Sequence, residues 1–229
     1  MKAAIKILSS AKRRRYPLRS ESLYGDLWLA PDQAELNKIM DALPPKHRLL
    51  HAFQLCLAIS ILQACQLKTS DFMRDNGWVY TRRSKVGNRL TPKPVPDFLR
   101  DWMLQYVEIN RNEIENSGGY LFTKHRDSRS NWPHLSPDYA RKVLRKACAR
   151  AGANDVYGIG RDGQERHRIG THSFKRFGIS AFGEETQDAK LTQALSGHKS
   201  VEVMMRCYWK AKPERVREAS NKVFSKILG

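Results

Sequence analysis

From residue 29 onward the polar and apolar positions fall into blocks of different period. The stretch "LAPDQAELNKIMDALPP" reads as a helix entered by Pro31 and closed by Pro44-Pro45. "KHRLLHAFQLCLAISILQACQLK" is apolar on nearly every side, which predicts one central buried helix. The period then changes. "GWVYTRRSKVGNRLTPKPVP" has an aromatic and β-branched run, a Gly87-Asn88 turn and a proline-spaced return, the pattern of a β-hairpin. "PDFLRDWMLQYVEINRNEI" returns to helical spacing, and the short "YLFT" reads as a third strand. "SPDYARKVLRKACARAG" is helical, with Arg141, Lys142, Arg145, Lys146 and Arg150 spaced to form one basic face. From "THSFKRFGISAF" the chain reads as helices on short links, with Thr171 the expected N-cap of the first. No internal repeat is visible.

These elements predict a mainly α protein with one small antiparallel β-sheet, an α+β fold. Three parts are expected: a basic arm over 1–25, a globular body over 26–210, and a C-terminal helix over 211–229. In that last helix Val216, Ala219, Val223, Phe224 and Ile227 recur at helical spacing, the pattern of a helix that docks on its own domain or on a second copy.

Charge narrows the partners. The 229 residues hold 41 Lys and Arg against 23 Asp and Glu, a net +18. Such an excess attracts polyanions, and DNA or RNA is the first partner to consider; double-stranded DNA is the partner that the resemblance described below implies. The arm concentrates it: Lys12, Arg13, Arg14 and Arg15 lie together in a stretch without acid, suited to neutralising phosphates. No apolar run approaches membrane-spanning length and no secretory signal is visible, so the expected location is the cytoplasm, at the nucleoid, or the nucleus, rather than outside the cell. Cys56, Cys65, Cys148 and Cys207 have neither zinc-ligand nor redox-pair spacing. Reduced thiols, no metal and no cofactor are expected.

The chemistry-bearing residues concentrate in the last third. "THSFKR" brings His172, Lys175 and Arg176 to a helix start, "LSGHKS" supplies His198, and Tyr208 follows; upstream, Lys85 lies in the hairpin turn. In this order, together with "ALPPKHRLL" and the "LKTSDF" that ends the buried run, the sequence resembles the catalytic domain of the tyrosine recombinase (phage integrase) superfamily over roughly residues 28 to 210. The resemblance implies metal-free DNA cleavage through a 3′-phosphotyrosine. Two arginines would stabilise the phosphoryl oxygens, Lys85 would protonate the leaving 5′ oxygen, and His172 and His198 would assist in proton transfer and phosphate binding. Cations suit that work, because negative charge develops on the equatorial oxygens.

Several positions depart from the family pattern. The family's first arginine lies in Gly-Leu-Arg-x-x-Glu-Leu; alignment on Leu67–Asp71 puts Ser60 at the arginine and Gln63 at the glutamate. Lys175 stands at the second arginine, with Arg176 one place late. Cys207 falls where the tyrosine belongs, and Tyr208 follows it. The leading expectation is therefore a DNA-binding protein of the integrase type, acting in DNA recombination or mobile-element biology, with impaired or lost strand transfer and a homo-oligomer assembled on DNA. Alternatives are an active tyrosine recombinase using Tyr208, and a generic basic RNA-binding helical protein, for which no RNA-recognition aromatic motif is visible. Arg82, Arg83 and Arg89 of the hairpin, with the arm and the 141–150 helix, are the expected phosphate-tracking surface.

Overall fold

A computed structural model of the protein describes residues 31–73, 77–83, 89–125, 131–159 and 163–208, together with Arg217 and Ser220. The basic arm, the Gly87-Asn88 turn with Lys85, and nearly all of the C-terminal helix lie outside the described residues.

Helix α1 (Gln33–Ala42) starts at an Asp32–Glu35 capping box, one residue past the proline expected to open it. The Pro44-Pro45 pair does more than close it. Pro45 is the first residue of α2 (Pro45–Leu57), where its missing N–H costs nothing. The long apolar run is not one helix. Ala58 adopts a left-handed conformation (φ 53°), and α3 (Ile61–Cys65) restarts behind Ser60. The same correction applies to 97–116, which is α4 (Asp97–Ile109) and α5 (Arg111–Asn116) separated at Asn110.

The hairpin forms as β2 (Trp78–Arg83) against β3 (Arg89–Pro94), in register from Trp78 opposite Pro94 to Arg83 opposite Arg89. Its third strand is β1 (Phe72–Met73), not "YLFT", which makes only isolated bridges from Tyr120 to Lys68 and from Thr123 to His134. Two residues per bridge are too few to make that segment a strand. A second, two-stranded sheet, β4 (Val156–Ile159) with β5 (Glu165–His167), is additional to the one expected. Helix α6 (Pro137–Arg150) forms where its sequence predicts a helix, and begins at Ser136, whose hydroxyl accepts the Tyr139 N–H. The chain then runs through α7 (Thr171–Thr186), α8 (Ala189–Ser196) and α9 (Val201–Tyr208). The N-cap of α7 is Gly170 rather than Thr171, and the Ser173 hydroxyl accepts the Gly170 N–H instead.

Helix α2 is the axis of the body. Leu49, Leu50, Phe53 and Leu57 are buried in a large core with Val79, Leu99, Phe122 and Leu135. A second core joins Leu36 and Ile39 of α1 to Leu144 and Cys148 of α6 and Phe174 of α7. The third is small: Ala58, Ile179, Leu195 and Met204. The thiols of Cys56 and Cys65 are pushed up by burial to about 11 and about 12, so these cysteines behave as small apolar groups. No described helix is long and apolar enough to cross a membrane.

Candidate functional site

Three elements carry the expected site residues: the start of α7, the turn between α8 and α9, and the hairpin. The start of α7 is fixed from below by α2. The His51 ring stacks on Phe174 with centroids 4.5 Å apart and planes 22° apart, while its Nδ1 lies 2.7 Å from Gln54 Oε1. The other end of Gln54 donates to the Thr171 carbonyl at 3.1 Å. One turn further on, Gly178 lets the two helices touch backbone to backbone; a Cβ there would stand 1.9 Å from the Leu55 carbonyl oxygen. From the other side, the largely buried Arg168 grips Glu35 of α1 with both of its terminal nitrogens and donates through Nε to Asp155 at 3.0 Å. His172 is therefore exposed on a rigid first turn, with Lys175 and Arg176 half-buried behind it.

The α8–α9 turn presents His198. Gly197 takes the left-handed conformation (φ 66°) that ends α8, and His198 Nδ1 lies 2.8 Å from the Ser196 hydroxyl. Gln193 donates to the His198 carbonyl at 3.0 Å. The hairpin reaches the same turn through Lys93, which sequence reasoning did not single out. Its side chain is 97% buried (3% exposed), and its ammonium donates to the Leu195 carbonyl at the end of α8. A cation there meets the negative end of the helix dipole. The signal was present in the alternation of β3. Leu90, Pro92 and Pro94 point outward, so Lys93 must point inward, opposite the buried Val79.

Ser60 caps α3. Its hydroxyl accepts the Gln63 N–H at 3.3 Å, and Gln63 Oε1 accepts the Ser60 N–H at 3.0 Å and its hydroxyl at 3.0 Å. The two positions at which the sequence departs from Arg-x-x-Glu thus satisfy each other as a neutral capping box. Helix α9 runs continuously through Cys207 and Tyr208, the last of its described residues.

The expected phosphate-tracking residues are only partly brought together. Arg141, Lys142, Arg145, Lys146 and Arg150 form one exposed face of α6, with Arg141 bonded to Asp138 at 2.6 Å. Arg82 pairs with the buried Asp71 at 3.3 Å. Arg83 and Arg89 are register partners at the turn end of the hairpin. Lys85, Lys12, Arg13, Arg14 and Arg15 are outside the described residues. Among the described residues no group of three His, Cys, Asp or Glu side chains is arranged to hold a metal ion.

The model of the phage integrase family matches residues 28–215, and the chain belongs to that family. The fold is that of solved tyrosine recombinases. The XerH site-specific recombinase, determined with palindromic difH substrate in a post-cleavage complex, is 19% identical, with a TM-score of 0.64 over 84% of this chain and 52% of that one. The XerA recombinase is 15% identical, with a TM-score of 0.65 over 84% of this chain and 64% of that one. The catalytic domain of bacteriophage HP1 integrase is 15% identical, with a TM-score of 0.52 over 84% of this chain and 93% of that domain. The chain thus spans about half to two thirds of the two Xer proteins. A comparison with curated proteins finds no match.

Proposed function

We propose that this chain binds double-stranded DNA as an integrase-type protein of DNA recombination, and that its strand-transfer centre is impaired or lost. The reading of impaired chemistry is carried by one observation: where the family has a guanidinium, this chain has a hydroxyl committed to a helix cap. Losing one preorganised donor to a developing oxyanion costs about 3 kcal/mol, on the order of a hundredfold or more in rate. Lys175 keeps the charge of the second arginine but not its two-pronged grip on phosphate. Cys207 and Tyr208 are neighbours on one helix, so their side chains leave the axis about 100° apart. Support for DNA as ligand comes from family membership, the net +18 and the exposed basic face of α6.

In this reading Lys85, His172, Lys175, Arg176 and His198 contact phosphate, and Tyr208 is the candidate nucleophile of whatever activity survives. The 1–25 arm, the hairpin arginines and α6 track the backbone, and the 211–229 helix mediates assembly on DNA. Two measurements test it. Affinity for duplex DNA should fall steeply with salt, and deletion of residues 1–19 should flatten the log–log slope. On a library of nicked duplexes the wild-type protein should leave no denaturation-resistant adduct. A wild-type adduct that disappears in Tyr208→Phe would overturn the reading and make the chain an active recombinase.

A further inference from the structure

His51 and Gln54 are polar side chains in the middle of α2, both 0% exposed, among the buried Leu50, Phe53 and Leu57. An apolar pair would fill these positions without loss of hydration, whereas a buried imidazole and amide cost free energy unless each is paired. The partners fix how the pair is wired. The Thr171 carbonyl can only accept, so the Gln54 atom 3.1 Å from it is the amide nitrogen. The amide oxygen therefore faces His51, and the proton in that 2.7 Å contact belongs to His51 Nδ1. One tautomer follows, with its hydrogen on Nδ1. Stacking on Phe174 of α7, with centroids 4.5 Å apart, sets the plane of the ring.

The far end of this relay is a single peptide group. The Thr171 carbonyl belongs to the peptide that joins Thr171 to His172, so the Gln54 amide holds the plane from which His172 leaves the backbone. The first turn of a helix is where such help is needed, because its N–H groups lack intrahelical partners. The Ser173 hydroxyl takes up the Gly170 N–H from one side, and Gln54 takes the carbonyl from the other. The separation of the two helices is set elsewhere, by the buried Phe174 and by the backbone contact at Gly178. A directed bond adds what packing does not, the tilt of one peptide.

We propose that Gln54, oriented by His51, is a positioning residue for His172, and that this relay aims the first turn of α7 at phosphate without being needed for the fold. The inference rests on the reading of His172 as a phosphate contact and names what sets its place. The deciding variant exchanges both partners for apolar groups, His51→Phe with Gln54→Met, so that neither is left buried and unpaired. Its urea midpoint should hold or rise, while affinity for duplex DNA at fixed salt should fall about fivefold. In a His172→Ala background the same two exchanges should change affinity by less than about twofold. In the free protein the carbonyl carbon resonance of Thr171 should move as it loses its side-chain donor, a readout that needs no DNA. Unchanged duplex affinity, an equal loss in both backgrounds, a stationary Thr171 resonance, or a variant that is destabilised or does not fold would overturn the relay. Salt-dependent duplex binding by the wild-type protein in that event would leave the broader reading standing, whereas failure of the wild-type protein to bind duplex would remove both.

Discussion

Ser60 illustrates why single positions in this site do not revert independently. Its hydroxyl and the Gln63 side chain satisfy the start of α3. Introducing the family's arginine alone therefore removes a helix cap while adding a cation next to a neutral amide. Ser60→Arg should lower stability by about 1 kcal/mol in denaturant unfolding and should produce no DNA adduct. Strand transfer, if it can be restored, should require Lys175→Arg and Cys207→Tyr together with Ser60→Arg. Lys93 is the complementary case, a cation used for position. Lys93→Met keeps the bulk but leaves the Leu195 carbonyl without its ammonium donor, a loss of roughly 1.5–3 kcal/mol offset by relief of a buried charge. The more diagnostic expectation is coupling: the loss of DNA affinity in His198→Ala should shrink in the Lys93→Met background. Additive effects in that double-mutant cycle would show that the hairpin does not set the His198 turn.

At the scale of elements, the α2–α7 crossing fixes where His172 stands. Glycine inside a helix costs about 1 kcal/mol relative to alanine, and here it permits contact that any side chain would block. Gly178→Ala forces a carbon against the Leu55 carbonyl, and the expected cost is about 3 kcal/mol or more, read from the urea midpoint. Much of this architecture was legible in the sequence. The hairpin, the basic α6 and the helical last third follow from period and turn chemistry. The break at Ala58 was legible but outweighed: Ser60-x-x-Gln63 is a capping-box signature set inside a continuous apolar run, and hydrophobicity alone cannot show a chain reversal. What pattern reading could not supply is the relay from His51 through Gln54 to Thr171. Its members come from α2 and α7, brought together only by tertiary packing.

For the whole molecule, acid is the expected weakness. His47 and His51 lie on one face of α2. Burial, reinforced by the nearby Lys46 and His125 charges, lowers His47 from the ordinary 6.5 to about 4. Burial lowers His51 to about 3, opposed in part by its bond to Gln54. Among the described residues neither nitrogen of His47, nor Nε2 of His51, has a hydrogen-bond partner. The unfolded chain binds protons at both residues below about 6.5, whereas the folded chain does not until far lower pH. Their contribution is therefore complete above 6.5 and is lost as pH falls toward about 4 and about 3. The slope reaches about 1.4 kcal/mol per pH unit for each ring. Urea midpoints taken across that window should fall steadily, and His51→Leu should make the profile shallower; a flat wild-type profile would contradict this.

The third core has a further consequence. Among the described residues, α8 and α9 meet the body through Ala58, Ile179, Leu195 and Met204, with Phe182, Ala189 and Val201 beside them, while α2 and α7 are joined by stacked rings, side-chain bonds and backbone contact. Free energies of local opening follow buried apolar contact, so α8 and α9 are expected to show faster amide exchange than the α2–α7 pair, slowed at the end of α8 by the Lys93 bond to Leu195. An opening of that kind would carry His198 and the candidate nucleophile Tyr208 off their places while the α2–α7 pair stays closed.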